Sequence, residues 1–191
     1  MSEPSDLARV RAALARRSSL ALELPRRAAV ALLLTEQAGS LAVLLVRRAE
    51  RAGDPWSGHM ALPGGHFHDD DGDLLVTARR ETHEEVGLDL GGAELLGSLD
   101  DITPLRSSGL AVRPFVFWLS GPVTLGLSPE VSETHWVALE VLAQGSLREM
   151  REVEVQSQRL SVPAYVIEQR VVWGMTFRLL EDFLARIGRP V

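Results

Sequence analysis

The sequence predicts an α/β (α+β) fold, a mixed β-sheet with helices packed on it, and three observations carry that expectation. Apolar runs of strand length occur at Ala28 to Leu34 and at Leu41 to Val46. A helical period runs from about Leu74 to Val86, and the two kinds of segment then alternate irregularly along the chain. A chain of 191 residues suffices for one domain with a substantial core and leaves little room for a second. Residues 1–191 are therefore expected to form one unit, with residues 1–25 as a peripheral N-terminal helical extension.

The elements follow in order. Leu7, Val10 and Leu14 stand at helical spacing among arginines, which predicts an amphipathic lead-in helix over residues 5 to 18. The two apolar runs flank the turn-like Gln37-Ala38-Gly39-Ser40 and read as a hairpin or a pair of neighbouring strands, central in the sheet. Arg51 to Gly65, rich in Gly and Pro, reads as a long loop of the kind that carries function. After the acidic stretch His68 to Asp73, a helix is expected from about Leu74 to Val86, with Asp73 placed to cap its start and Gly87 to end it. Further strands are expected at Glu94 to Leu99, Val112 to Leu119, Thr134 to Val137 and Val162 to Ile167, and a closing helix at about Gly174 to Ile187. No internal repeat or low-complexity segment interrupts this series.

Composition narrows the function classes. Hydrophobic residues make up 46% and charged residues 24%, as in an ordinary globular protein and unlike a disordered chain. The absence of cysteine excludes disulfide frameworks, thiolate zinc sites and cysteine nucleophiles together. No apolar run approaches the roughly 20 residues that span a bilayer, and the first 30 residues mix acids with arginines, unlike a signal peptide. A cytoplasmic protein without a membrane partner is expected. A formal charge of -6 argues against stable nucleic-acid binding, while local arginines can still hold a small phosphate-bearing ligand.

The chemistry concentrates in Arg80-Glu81-Thr82-His83-Glu84-Glu85-Val86-Gly87-Leu88. At about 100° per residue, Leu75, Ala78, Thr82 and Val86 share one arc of the helix, and Glu81, Glu84 and Glu85 fall on the adjoining arc. Glu81 and Glu85 repel at i,i+4 with no lysine on that arc to offset them. Magnesium or manganese is the natural counterion, since both prefer oxygen ligands and magnesium bridges a few carboxylates to substrate phosphates. A pair of glutamates alone is more often a solvated acidic face. The combination of a Gly-Gly turn, an acidic loop and Arg-Glu-x-x-Glu-Glu-x-Gly is far more specific.

That combination resembles the box of the Nudix hydrolase superfamily, with Gly65, Arg80, Glu81, Glu84, Glu85, Gly87 and Leu88 on its pattern. Three departures stand out. The spacing from Gly65 to Arg80 is one residue longer than usual, Asp70 or Asp71 replaces the upstream glutamate, and Thr82 stands where an aliphatic residue is usual. The resemblance implies an α/β/α sandwich with a mixed sheet. It implies that Glu81 and Glu85 coordinate Mg2+ or Mn2+, with Glu84 as a further ligand or an assistant and Gly65 beside them. Arg80 would orient a carboxylate, Glu81 is assigned provisionally as the base, and a water activated by the cation would attack phosphorus. Phosphoryl chemistry asks the protein mainly for positioning and electrostatics, so no nucleophilic side chain is needed.

Upstream, Leu44-Leu45-Val46-Arg47-Arg48-Ala49 and Gly58-His59-Met60-Ala61-Leu62-Pro63-Gly64-Gly65 look like the signature of the coenzyme A pyrophosphatase branch. Val46 replaces a threonine and Leu62 a phenylalanine, and Arg51 is the nearest candidate for a second arginine one residue out of register. Val172-Trp173-Gly174-Met175-Thr176 resembles that branch's closing strand-to-helix segment. Arg47, Arg48 and Arg51, with Gly64 and Gly65, are the candidate substrate-binding residues, because guanidinium pairs bidentately with phosphate. Each arginine, Arg113 included, can equally be a solvated strand residue. Trp56 either stacks on a base or covers core. His59 and His66 either contact phosphate or are plain loop residues, and Glu130 and Glu133 either add a metal ligand or base or serve the surface.

The readings that follow are hydrolysis of coenzyme A or acyl-CoA, hydrolysis of ADP-ribose, dinucleotides or nucleoside triphosphates, or binding by a Nudix module without catalysis. Retention of Glu81, Glu84 and Glu85 weighs against the last. The partner expected is a small nucleotide, and a homodimer contacting through the N-terminal helix or the Trp118 strand would suit the family.

Overall fold

The first apolar run forms the centre of the sheet. In the computed structural model, which describes residues 6–53, 56–104, 109–155 and 158–189, the lead-in helix α1 spans Asp6–Ala15 and strand β1 spans Arg26–Gln37. Every residue from 28 to 35 of β1 is buried, because the strand is covered on both faces and therefore needs no polar alternation. The hairpin to β2 (Ser40–Arg48) turns on Ala38 and Gly39, both at positive φ, as a two-residue type I′ turn requires.

Beyond the hairpin β1 and β2 part, and short strands fill the space between them. Strand β3 (Met60–Ala61) pairs with β2, and β4 (Gly64–His66) pairs with the first half of β1. The expected long loop Arg51 to Gly65 thus contains strand; residues 54 and 55 of that expectation, like residue 5 of the lead-in helix and the first five residues of the extension, lie outside the described residues. After β4 come α2 (Leu74–Val86), β5 (Glu94–Ser98), β6 (Leu110–Trp118), β7 (Val131–Ala138) and α3 (Leu139–Ala143). Strand β6 runs parallel to β1, β5 is antiparallel to β6, and β7 is antiparallel to β2, which makes the mixed sheet expected. Strand β6 lies between β1 and β5, so the backbone edges on both sides of Trp118 are paired.

A second, three-stranded antiparallel sheet is formed by β8 (Arg148–Val155), β9 (Gln158–Ile167) and β10 (Arg170–Trp173), and α4 (Gly174–Arg186) closes the chain. Strand β8 and helix α3 lie outside the expected elements, whereas β10 with the start of α4 is the strand-to-helix segment that Val172 to Thr176 resembles. The β8 segment interleaves charge with single apolar residues, and among its described side chains residues 148–152 and 154 are exposed, so these present no apolar face to mark a strand. Its order comes from pairing with β9.

Two apolar layers flank the main sheet. On one face Ala29, Ala31 and Leu33 of β1 meet Leu74, Ala78 and Val86 of α2. On the other, Leu32 and Leu34 join Val10 and Leu14 of α1, Tyr165, and Phe183 and Leu184 of α4. A fully buried leucine stabilises by about 2 kcal/mol, so these layers dominate the energetics. No helix among the described residues is long and apolar enough to cross a membrane.

Candidate active site

Local sequence sets the bounds of α2. The Asp73 side chain accepts from Val76 N–H at 2.9 Å, and Gly87 ends the helix at φ 68 with its N–H donating to His83 O at 2.9 Å. Thr82 is fully buried and its hydroxyl donates to Ala78 O at 2.7 Å, which lets a polar side chain occupy a position where an aliphatic one is usual.

Two glycines bring the carboxylates together. Gly64, at φ 153, passes so close to β1 that a Cβ there would lie 2.3 Å from Ala29 O. That approach aims Gly64 N–H at Glu85 Oε2, 3.1 Å away. At Gly65 a Cβ would lie 2.4 Å from Glu81 Cδ, so the missing side chain is the space the Glu81 carboxylate occupies. Glu81 and Glu85 therefore flank one Gly-Gly turn. Burial pushes the Glu85 carboxyl up to about 7, the Gly64 N–H opposes this, Glu81 and Glu130 add to it, and the Arg48 charge lowers it.

Arg80 organises the rest. Its guanidinium donates to Asp71 Oδ1 at 2.7 Å and Oδ2 at 2.9 Å, to Glu81 Oε1 at 2.9 Å, to Glu84 Oε2 at 3.2 Å and to His66 O at 3.1 Å. Of the two aspartates considered for the upstream acid, Asp71 is the one placed against Arg80, and its carboxyl is held far below the usual range first by that guanidinium. Between Asp71 and the Asp73 cap, Gly72 takes φ 74 and turns the chain from the acidic loop into α2.

The donor set suits a hard cation. Glu81 and Glu85 offer carboxylate oxygens at one turn, and a buried carboxyl pushed up to about 7 is one that a cation would hold ionised. Glu84 turns to Arg80 with its side chain 57% exposed. Among the described residues no three acidic or histidine side chains converge into a closed cage. Magnesium needs none, since it keeps waters and takes one or two carboxylates plus substrate phosphates.

The arginines separate. Consecutive strand residues point to opposite faces, and Arg48 lies on the α2 side, where its charge is felt by Glu85. Arg47 lies on the other side, donating to Gly58 O at 3.1 Å and to Glu133 Oε1 at 3.0 Å. Glu133 also accepts from Arg170 Nε at 2.9 Å and contacts His135 Nε2 at 3.0 Å. These partners, Arg170 foremost, hold its carboxyl down at about 2. Arg51 pairs with Glu130 at 3.0 Å on the exposed surface, and Arg113 pairs with Asp101, whose side chain is 1% exposed. Trp56, His59 and Trp173 form an aromatic cluster, with His59 and Trp173 centroids 5.1 Å apart. Arg170 and Gln169 carried no signal in the sequence, because they stand at the β9–β10 turn, a place no periodicity marks.

A model of the NUDIX domain matches residues 25–156, and the chain belongs to the Nudix family. It is 30% identical over 146 residues to the uncharacterised Nudix hydrolase NudL of Photorhabdus laumondii, covering 75% of this chain and 76% of that protein. It is 30% identical over 164 residues to the mitochondrial Nudix hydrolase 15 of Arabidopsis thaliana, covering 82% and 56%. A 42% identical stretch of 104 residues aligns with an uncharacterised protein of Schizosaccharomyces pombe, over 51% of this chain and 32% of that one. The chain thus spans about a third of the yeast relative and just over half of the plant one. Among solved structures, a MutT/nudix family protein from Enterococcus faecalis superposes with a TM-score of 0.58 at 19% identity, covering 91% of this chain and 66% of that one. A Caenorhabditis elegans Ap4A hydrolase gives 0.50 at 23%, covering 62% and 84%. Both likenesses concern the fold.

Proposed function

We propose that this chain is a divalent-metal-dependent pyrophosphohydrolase that cleaves the phosphoanhydride of a nucleoside-diphosphate-linked small molecule, and that its substrate is coenzyme A or an acyl-CoA. The products would be 4′-phosphopantetheine, or its acyl form, and adenosine 3′,5′-bisphosphate. The observation that carries the hydrolytic reading is the placement of Glu81 and Glu85 at the Gly64-Gly65 turn, one of them buried and destabilised as an anion. The coenzyme A assignment rests on the segments 44–49 and 58–65 and on Val172 to Thr176. Residues 1–191 are taken as one catalytic unit.

Glu81 and Glu85 would hold a magnesium or manganese ion, which when bound would supply charge neutralisation and a more acidic water. Glu81, with its side chain 15% exposed, retains access to solvent and accepts the proton of the attacking water. Glu84 assists at the rim, and Arg80 fixes the Glu81 carboxylate. Arg48 and Arg51 supply positive charge near the phosphates.

The test is a hydrolysis screen with magnesium or manganese over coenzyme A, acyl-CoA, ADP-ribose, NADH, diadenosine polyphosphates and nucleoside triphosphates, with products identified by mass. Release of adenosine 3′,5′-bisphosphate from coenzyme A supports the full reading. Cleavage of another member alone keeps the chemistry and removes coenzyme A, and no cleavage of any member removes both.

A further inference from the structure

A cleft of about 430 Å³ opens between the main sheet and the three-stranded sheet, on the face of β2 away from α2, and the reading above leaves it without a role. Its lining pairs an aromatic part, His59 and Trp173, with a polar part that includes Arg47, Glu133, Gln169 and Arg170.

Charge decides what it can hold. Arg47 and Arg170 both donate to the Glu133 carboxylate, and Glu154 adds a second negative charge to the lining. Two guanidiniums against two carboxylates leave the cleft formally neutral, so it offers a phosphate nothing over water. An uncharged planar ligand gains more. The indole of Trp173 provides a stacking surface whose orientation is held by His59, at 5.1 Å and 65°, and by Trp56, at 6.3 Å and 38°. Gln169 sits exposed at the rim with an amide donor and acceptor side by side, the pattern that pairs with the N6/N7 edge of adenine. The cleft is also placed for one end of a longer substrate: Arg47 lines it, and Arg48, the next residue, carries the charge that Glu85 feels on the opposite face.

The geometry points to this cleft as the seat of an adenine base, stacked on Trp173 and read along its edge by Gln169, with the phosphates outside it beyond the end of β2. The inference rests on the nucleotide-hydrolase reading and specifies where such a substrate is recognised. It moves base stacking from Trp56, the candidate of the sequence, to Trp173. It also makes Arg47 a positioning residue for the cleft wall and removes it from the set that grips phosphate.

Binding of adenosine in the presence of chelator tests this apart from turnover, with the indole N–H resonances of the four tryptophans read by NMR. Adenosine should shift the Trp173 resonance saturably, and ribose 5-phosphate, which lacks the base, should not. Trp173→Leu should weaken adenosine binding about tenfold, Trp173→Phe should restore most of it, and Gln169→Ala at the exposed turn should weaken it without touching the core. Glu85→Gln should abolish hydrolysis and leave adenosine affinity unchanged. An adenosine titration that leaves the Trp173 resonance in place, equal affinity in Gln169→Ala and wild type, or saturable binding of ribose 5-phosphate at Trp173 would overturn the assignment even if the enzyme hydrolyses nucleotides.

Discussion

Arg80 grips Asp71 through two parallel hydrogen bonds, Nε to Oδ1 at 2.7 Å and Nη2 to Oδ2 at 2.9 Å, with the Asp71 side chain 4% exposed. Asp71 further accepts from Thr77 Oγ1 at 2.8 Å and from His68 N–H at 3.0 Å, so one carboxylate ties the acidic loop to both ends of the arrangement. Asp71→Ala removes the acceptor of Arg80 Nε and of His68 N–H, although Glu81, Glu84 and His66 O still hold the other guanidinium nitrogens. It should destabilise the fold by about 2–4 kcal/mol, read by urea denaturation. Arg80→Lys keeps a charge and loses the fork, so it should lower kcat more than it lowers stability. Equal kcat in wild type and Arg80→Lys would refute the positioning role.

The two glycines of the turn separate folding from chemistry. A Cβ at Gly64 meets backbone, Ala29 O at 2.3 Å and Val30 Cα at 2.6 Å, in a region of φ that alanine avoids, so Gly64→Ala should destabilise by several kcal/mol, at least ~3. A Cβ at Gly65 meets the carboxylate of Glu81, the far end of a flexible side chain. Gly65→Ala should therefore melt within a few degrees of wild type and still lose most of its metal-dependent turnover. A Gly65→Ala protein with full activity would show that Glu81 has no fixed place in the reaction.

Glu85 has a signature in pH. Its carboxyl is raised to about 7 in the fold from an ordinary 4.5, so the folded state holds a proton that the unfolded chain gives up first. The contribution is intact below pH 4.5 and is lost as pH rises through 7, up to roughly 3 kcal/mol. Asp71 and Glu133 are depressed, so their contributions are complete across this window. In chelator, wild type should lose stability between pH 5 and pH 8 relative to Glu85→Gln, and magnesium should restore more at pH 8, where the ligand is ionised. Parallel stability profiles for the two proteins would sink this account.

Glu85→Gln removes a charge and keeps the volume, so the fold should persist while metal-dependent turnover disappears. Near-ultraviolet circular dichroism and the hydrolysis screen read the two halves separately. Unchanged turnover would remove Glu85 from the metal site.

The Arg51–Glu130 pair is exposed on both sides, 53% and 56%, and contributes at most about 1 kcal/mol to stability. Arg51→Ala should leave the melting temperature unchanged and raise KM for coenzyme A more than for ADP-ribose. Equal increases would deny Arg51 a part in choosing substrate.

Some of this was legible along the chain and some was not, and the division follows the range of the interaction. The bounds of α2, Leu74 and Val86, were readable because Asp73 caps and Gly87 stops the helix within one turn of the residues that reveal them. The hairpin at Ala38-Gly39 was readable for the same reason, since turn chemistry acts over a few residues. Only the tertiary structure decided that Asp71 and not Asp70 meets Arg80, that Glu81 fills the space at Gly65, and that Glu85 is buried among neighbours that raise its pKa. It also decided that Arg47 and Arg48, adjacent in sequence, serve opposite faces of β2, and that Glu133 binds both Arg47 and Arg170 across strands far apart in the chain. Such contacts depend on strand register and on which face packs against which layer, and no local preference of the chain records either.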